Sequence, residues 1–210
     1  MVDAVLNELQ RDALSEVGNI GAGNATNALA IMTRQRLELS VPETHLVALE
    51  ELPRLTADHP EEALVSVYVA FQGTAQGCLL LLFTEPQARA LLRLLDLPCP
   101  TNIFNLPSLE KSAVSEIGNI LASSYLNALA QFAGLHLFPL PPGVAVGMSG
   151  AILGSIGAFL GQLDDRSLVI HLRISAGVAG QQTPPPLGLR LVMIPRENSL
   201  QVILAALGLE

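Results

Sequence analysis

Tryptophan is missing from this chain, and aromatic side chains of every kind make up only 4% of its 210 residues. Half the residues are apolar, so a core must be assembled from Leu, Val, Ile and Ala, and the length permits a substantial one. Basic residues are also few: 11 Lys and Arg stand against 19 Asp and Glu, a net charge of −8. That balance disfavours nucleic acid and anionic membrane surfaces as partners. Only two cysteines occur, Cys78 and Cys99, with no metal-type spacing, and reduced thiols in a cytoplasmic protein are expected. The four histidines (His45, His59, His136, His171) stand singly, so neither a bound metal nor another cofactor is expected. No long apolar run is free of charged or strongly polar residues, which argues against membrane insertion. The opening "MVDAVLNELQRDAL" has neither the basic nor the apolar region of a signal peptide and reads as the start of an acidic amphipathic helix.

What the chain does have is a repeat. "DALSEVGNIGAGNATNALA" (12–30) returns a hundred residues later as "SAVSEIGNILASSYLNALA" (112–130), with eleven of nineteen positions identical. Two copies are too few for a solenoid and predict a pseudo-twofold arrangement in one domain, 1–210, with repeats at about 9–97 and 108–209.

The first half reads as a helix over 9–34, a strand over 43–52, a loop at "TADHPEE", a hairpin of buried strands over 63–71 and 77–84, and a helix over 85–97 with Pro86 in its first turn. In the second half a helix over 108–134 is stopped by the prolines of "LFPLPPG". A glycine-rich helix follows over 148–163, then strands over 166–175 and 187–195 around a "QQTPPP" turn, and a closing helix over 197–209. Short connections between strands imply antiparallel pairing. The expected fold is α+β: a pseudo-twofold repeat with a mainly antiparallel sheet, two long helices and shorter helices packed on it.

At about 100° per residue, Asp12, Glu16, Asn19, Gly23 and Asn27 share one stripe of the first long helix. Leu14, Val17, Gly21, Ala25 and Ala28 fall opposite, on the expected buried side. The second copy clusters Ser112, Glu116, Asn119, Ser123 and Asn127. Each stripe sets a carboxylate and a carboxamide one turn apart. A solvated face is the ordinary reading of such a stripe. Against it, Glu and Asn recur while their neighbours differ, Asn is a poor helix former, and Gly18, Gly21 and Gly23 each cost about 1 kcal/mol in a helix interior. Gly23 and Ser123 leave room for another molecule to approach, whereas Gly21 and Ala25 suit close packing within the domain.

Asn has no exchangeable proton to act as a base, but its amide can hold a water by accepting from it and donating to it. Positioning of that kind suffices where the substrate is already activated, as in phosphoryl transfer. Glu one turn away can pair with a basic residue and fix the register of a partner.

With these residues the sequence resembles the CheC family of chemotaxis phosphatases, related to CheX and to the N-terminal part of FliY. The family signature, Asp/Ser-x3-Glu-x2-Asn-x22-Pro, is matched twice: by Asp12, Glu16, Asn19 and Pro42, and by Ser112, Glu116, Asn119 and Pro142. The resemblance extends over essentially the whole chain, including "ELSVPE" and "LVMIP". It implies hydrolysis of the aspartyl phosphate of the response regulator CheY. Asn19 and Asn119 would orient the attacking water, Glu16 and Glu116 would pair with the regulator's lysine, and Mg²⁺ would belong to the regulator. It also implies the receptor deamidase CheD as a partner, although Gly147 precedes Met148 where related proteins often carry an acidic residue. With nothing after residue 210, no flagellar-switch domain of the FliY type is expected.

The rival class is a non-catalytic adaptor that binds CheD or phosphorylated CheY. Its signature would be loss of Asn or Glu from a motif, and both pairs are intact. "GAGNAT" lacks a preceding strand and the full glycine spacing of a phosphate loop. Glu16 and Glu116 on equivalent helices would share one environment, unlike a glycosidase acid and base. Pro42 and Pro142 offer no chemistry and read as punctuation between helix and strand.

Overall fold

A computed structural model describes residues 8–52, 59, 61–160, 166–177 and 187–208. Among the described residues five α-helices, α1 (Glu8–Thr33), α2 (Glu85–Leu94), α3 (Ser108–Ala133), α4 (Ser149–Leu160) and α5 (Ser199–Ala206), accompany one seven-stranded sheet. Its strands are β1 (Arg36–Ala48), β2 (Ala63–Gly73), β3 (Gly77–Thr84), β4 (Leu137–Pro139), β5 (Gly143–Met148), β6 (Arg166–Gly177) and β7 (Leu187–Pro195). The pairings are antiparallel, as the short connections predict. The fold class is the α+β pseudo-twofold one expected from the sequence.

The strand order is β1-β6-β7-β3-β2, with β4 and β5 both on the far side of β2. Taken by repeat, the order is palindromic. β3 and β7, the last strand of each half, meet at the centre; β1 of the first half lies against β6 of the second, and β4 and β5 of the second half lie against β2 of the first. The repeats thus exchange their outer strands.

Central strands are apolar on both faces, which explains the uninterrupted run "CLLLLF". Leu79, Leu81 and Phe83 of β3 join the core under the long helices, with Val65, Val67, Leu191 and Met193. Cys78, Leu80 and Leu82 turn to the opposite face, where Leu52 and Ile152 of α4 cover them. At about 25 cal/mol per Å² of buried apolar surface, this double-sided aliphatic core replaces what aromatic residues supply elsewhere. Helices α1 and α3 cross at Gly21, whose missing Cβ would stand 3.0 Å from the Cα of Tyr125. α2 opens with the Thr84 amide donating to Gln87 Oε1 at 2.9 Å, a reach-back that satisfies a donor at the helix start.

Several boundaries differ from the sequence reading. β1 begins at Arg36 rather than 43, so Pro42 lies inside a strand instead of punctuating helix and strand. The register jumps between Ser40 and Glu43: Val41 and Pro42 stand where β6 supplies only Leu172. Such a bulge tolerates proline, which lacks the N–H a regular ladder needs. α3 is stopped not by the prolines of 139–142 but by Gly134, left-handed at φ 64°, while the Leu135 amide donates to Ala130 O at 2.9 Å. Two strands, β4 and β5, occupy the stretch read only as a helix stop, because Pro and Gly at 139–143 masked their short apolar patterns. The "QQTPPP" segment and most of "TADHPEE" lie outside the described residues.

Candidate functional site

Each Glu/Asn pair sits in the first half of a long helix whose other side is fixed by the sheet. Leu14, Val17, Gly18, Gly21, Ala22 and Ala25 are buried, and this apolar face forces the opposite stripe outward. Asp12, Glu16, Asn19, Gly23 and Asn27 are exposed. Ala28, placed on the buried side by the helical projection, is exposed as well: the core-facing arc continues through Leu29 and Thr33, and Ala28 falls at its edge. On α3, Ser112, Glu116 and Asn127 are exposed, while Asn119 and Ser123 are half-buried. All four proposed functional side chains therefore reach the surface.

The two carboxamides are held by different partners. Asn19 Oδ1 accepts from the main-chain N–H of Val41 at 3.3 Å, the residue before the motif proline. Gly18 permits this approach: a Cβ there would come within 3.1 Å of the Val41 side chain. Asn119 Oδ1 accepts instead from Ser123 Oγ, one turn along the same helix, at 3.4 Å. Its neighbour Gly118 packs on Val67 of β2 rather than on the β4–β5 segment. In each case the amide oxygen accepts one hydrogen bond, from the strand beneath for Asn19 and from the same helix for Asn119, while the –NH₂ keeps two donors. Gly23 has no atom within 4 Å of a notional Cβ, so the space beside Asn19 is open. At the equivalent position Ser123 is a hydrogen-bond partner as well as a small residue.

The two motif prolines occupy different backbone settings. Pro42 enters through the bulge that presents Val41, whereas Pro142 is half-buried between β4 and β5. Val41 is the neighbour of Asn19 that composition and periodicity missed. The only trace of it is the fixed spacing from Asn19 to the proline, which places residue 41 beside the helix.

Both sites lie on the outer surface of helices rather than in a cleft; the concavity at the start of α2, lined by Glu85, Pro86, Arg89 and Arg93, includes neither pair. Among the described residues no cluster of three or more His, Cys, Asp and Glu has the arrangement of a metal site, and no helix is long and apolar enough to cross a membrane. Elsewhere, burial pushes the Cys78 thiol up to about 12 and raises the Tyr125 hydroxyl, which marks both as core groups rather than reactive ones. The chemistry available at each stripe is thus an oriented amide and a carboxylate on a convex ridge. It suits insertion into another molecule's site better than enclosure of a small substrate.

Comparison with known proteins identifies the family and the fold. The family model described as "CheC-like family" matches residues 9–46 and 109–146, the two segments that run from a Glu/Asn stripe to its proline. The chain is 31% identical over 207 residues to the CheY-P phosphatase CheC of Bacillus subtilis (strain 168), covering 97% of this chain and 96% of that protein. Its fold is similar to that of FliY from Thermotoga maritima, with a TM-score of 0.73 at 16% identity over 97% of this chain and 98% of the other. It is also similar to the FliM middle domain from Vibro alginolyticus, with a TM-score of 0.61 at 12% identity over 92% and 99% of the two chains.

Proposed function

The chain belongs to the CheC-like family, and from that premise we propose that it hydrolyses the aspartyl phosphate of a phosphorylated CheY-type response regulator. The carrying observation is the paired display of Glu16 with Asn19 and Glu116 with Asn119 on solvent-facing stripes, each amide oxygen tethered. An acyl phosphate is already activated, so the demand is a water held in line rather than a strong base. The free face of each carboxamide holds that water. Each glutamate pairs with a lysine of the docked regulator and sets the depth of insertion. Mg²⁺ is supplied by the regulator, and no cofactor is bound by this chain. The action is cytoplasmic, where the regulator resides, and the receptor deamidase CheD is the second partner.

Phosphate release from the phosphorylated regulator tests this reading. The native chain should accelerate it, and Asn19→Ala combined with Asn119→Ala should return the regulator to its own decay rate with the fold retained. Undiminished acceleration by the double variant overturns the water-positioning role. Tight binding of the phosphorylated regulator without any acceleration by the native chain leaves the adaptor reading in its place.

A further inference from the structure

The motif proline has no role in the chemistry above, yet it stands 23 positions after an asparagine whose oxygen is bound by the residue just before it. The hydrophobic pattern of β1 shows why. Leu37, Leu39 and Val41 alternate toward the helices, but after the bulge the inward positions become Thr44 and Leu46, opposite Ile170 and Leu168. The strand changes phase by one residue, which a regular ladder cannot do without turning its apolar side to solvent. Val41 and Pro42 together oppose a single residue, Leu172, so the ladder is interrupted at this point. The Val41 side chain is buried at 6% exposure and lies under Gly18, while its N–H donates to Asn19 Oδ1. Pro42 supplies no N–H that could draw the bulge back into the ladder with β6.

The structure assigns Val41 and Pro42 to the first site as positioning residues: the bulge presents one main-chain donor that sets the Asn19 carboxamide. This assignment rests on the phosphatase reading for its catalytic consequence, but the hydrogen bond itself does not. The second site is built otherwise. Pro142 falls in a gap between two short strands, and Asn119 takes its donor from Ser123 on its own helix. A main-chain donor fixed by the sheet leaves Asn19 less rotational freedom than a serine hydroxyl leaves Asn119, since the hydroxyl itself rotates. The two sites therefore differ in how firmly the amide is held.

Two measurements on the full chain separate the parts. In ¹⁵N-edited NMR, Asn19→Ala should shift the Val41 amide and speed its hydrogen exchange about tenfold, as loss of one modest hydrogen bond predicts. Asn19→Asp, which keeps an acceptor, should preserve the protection, and Asn119→Ala should leave Val41 untouched. Because Asn19 is exposed, these variants keep the fold. An unchanged Val41 amide in Asn19→Ala overturns the assignment. In an Asn119→Ala background, Pro42→Ala should lower the maximal rate of phosphate release about tenfold while the half-saturating regulator concentration stays fixed. A fall in affinity with the rate intact makes Pro42 a docking residue and overturns its positioning role. If the native chain releases no phosphate at all, the phosphatase reading fails while the NMR result still decides the clamp.

Discussion

A side chain at Gly21 would place its first carbon 3.0 Å from the Cα of Tyr125, where the two long helices cross. Tyr125 is itself 3% exposed, so neither helix can retreat without opening the core. Gly21→Ala should lower stability by about 1–3 kcal/mol, the usual cost of overpacking, as a fall in the denaturant midpoint at unchanged slope. Gly23→Ala is the contrasting variant. Open space surrounds that position, and alanine's helix propensity should raise stability by up to about 1 kcal/mol. If the regulator approaches over Gly23, the same variant should bind it more weakly, so stability and affinity would move in opposite directions.

Glu16 and Glu116 are both exposed, and their proposed task is an ion pair with a lysine of the partner. Glu16→Gln with Glu116→Gln should raise the half-saturating regulator concentration several-fold and flatten its dependence on ionic strength, since rim charges act through screened attraction. A salt dependence identical to that of the native chain would remove the ion pair from the mechanism.

Ser123 holds the second amide. In an Asn19→Ala background, which isolates that site, Ser123→Ala should reduce the maximal rate of phosphate release about two- to fivefold, the scale of a weak neutral hydrogen bond. The same change in an Asn119→Ala background should have no effect on the rate.

The cysteines should differ sharply in reactivity. Cys78 is fully buried and its thiol is pushed up to about 12 by desolvation, so at pH 8 only about one molecule in ten thousand carries the thiolate there. Cys99 is half-buried. A thiol-directed reagent should modify one site per native chain and two in denaturant, and mass spectrometry of the native digest should find the label on Cys99.

The exchanged outer strands predict cooperative dependence between the repeats. β1 finds its partner in β6, and β2 pairs with β4 and β5. Residues 1–105 produced alone should lack the native thermal transition, and mixing them with residues 106–210 should restore it.

The amino-acid sequence alone determined the local architecture and the candidate stripe. Helical spacing is read from a few neighbouring residues, so the two long helices, the β2–β3 hairpin and the outward placing of Glu16, Asn19, Glu116 and Asn119 follow from periodicity. So did the antiparallel character of the sheet, through short connections. The two copies of the motif carried the pseudo-symmetry. Tertiary structure decided the rest, because it depends on contacts between residues far apart in the chain. Which repeat each outer strand joins is set by sheet closure and not by either strand's own pattern. The early start of β1 was hidden because a bulge switches its inward positions from odd to even, which erases a period of two. Gly134 rather than the following prolines ends α3: the sequence offers both stop signals, and only the coordinates show which one acts. The unequal tethering of Asn19 and Asn119 lies beyond any repeat-based reading. The two helices carry the same Glu and Asn, but only the first rests against a strand whose bulge turns a main-chain N–H toward it.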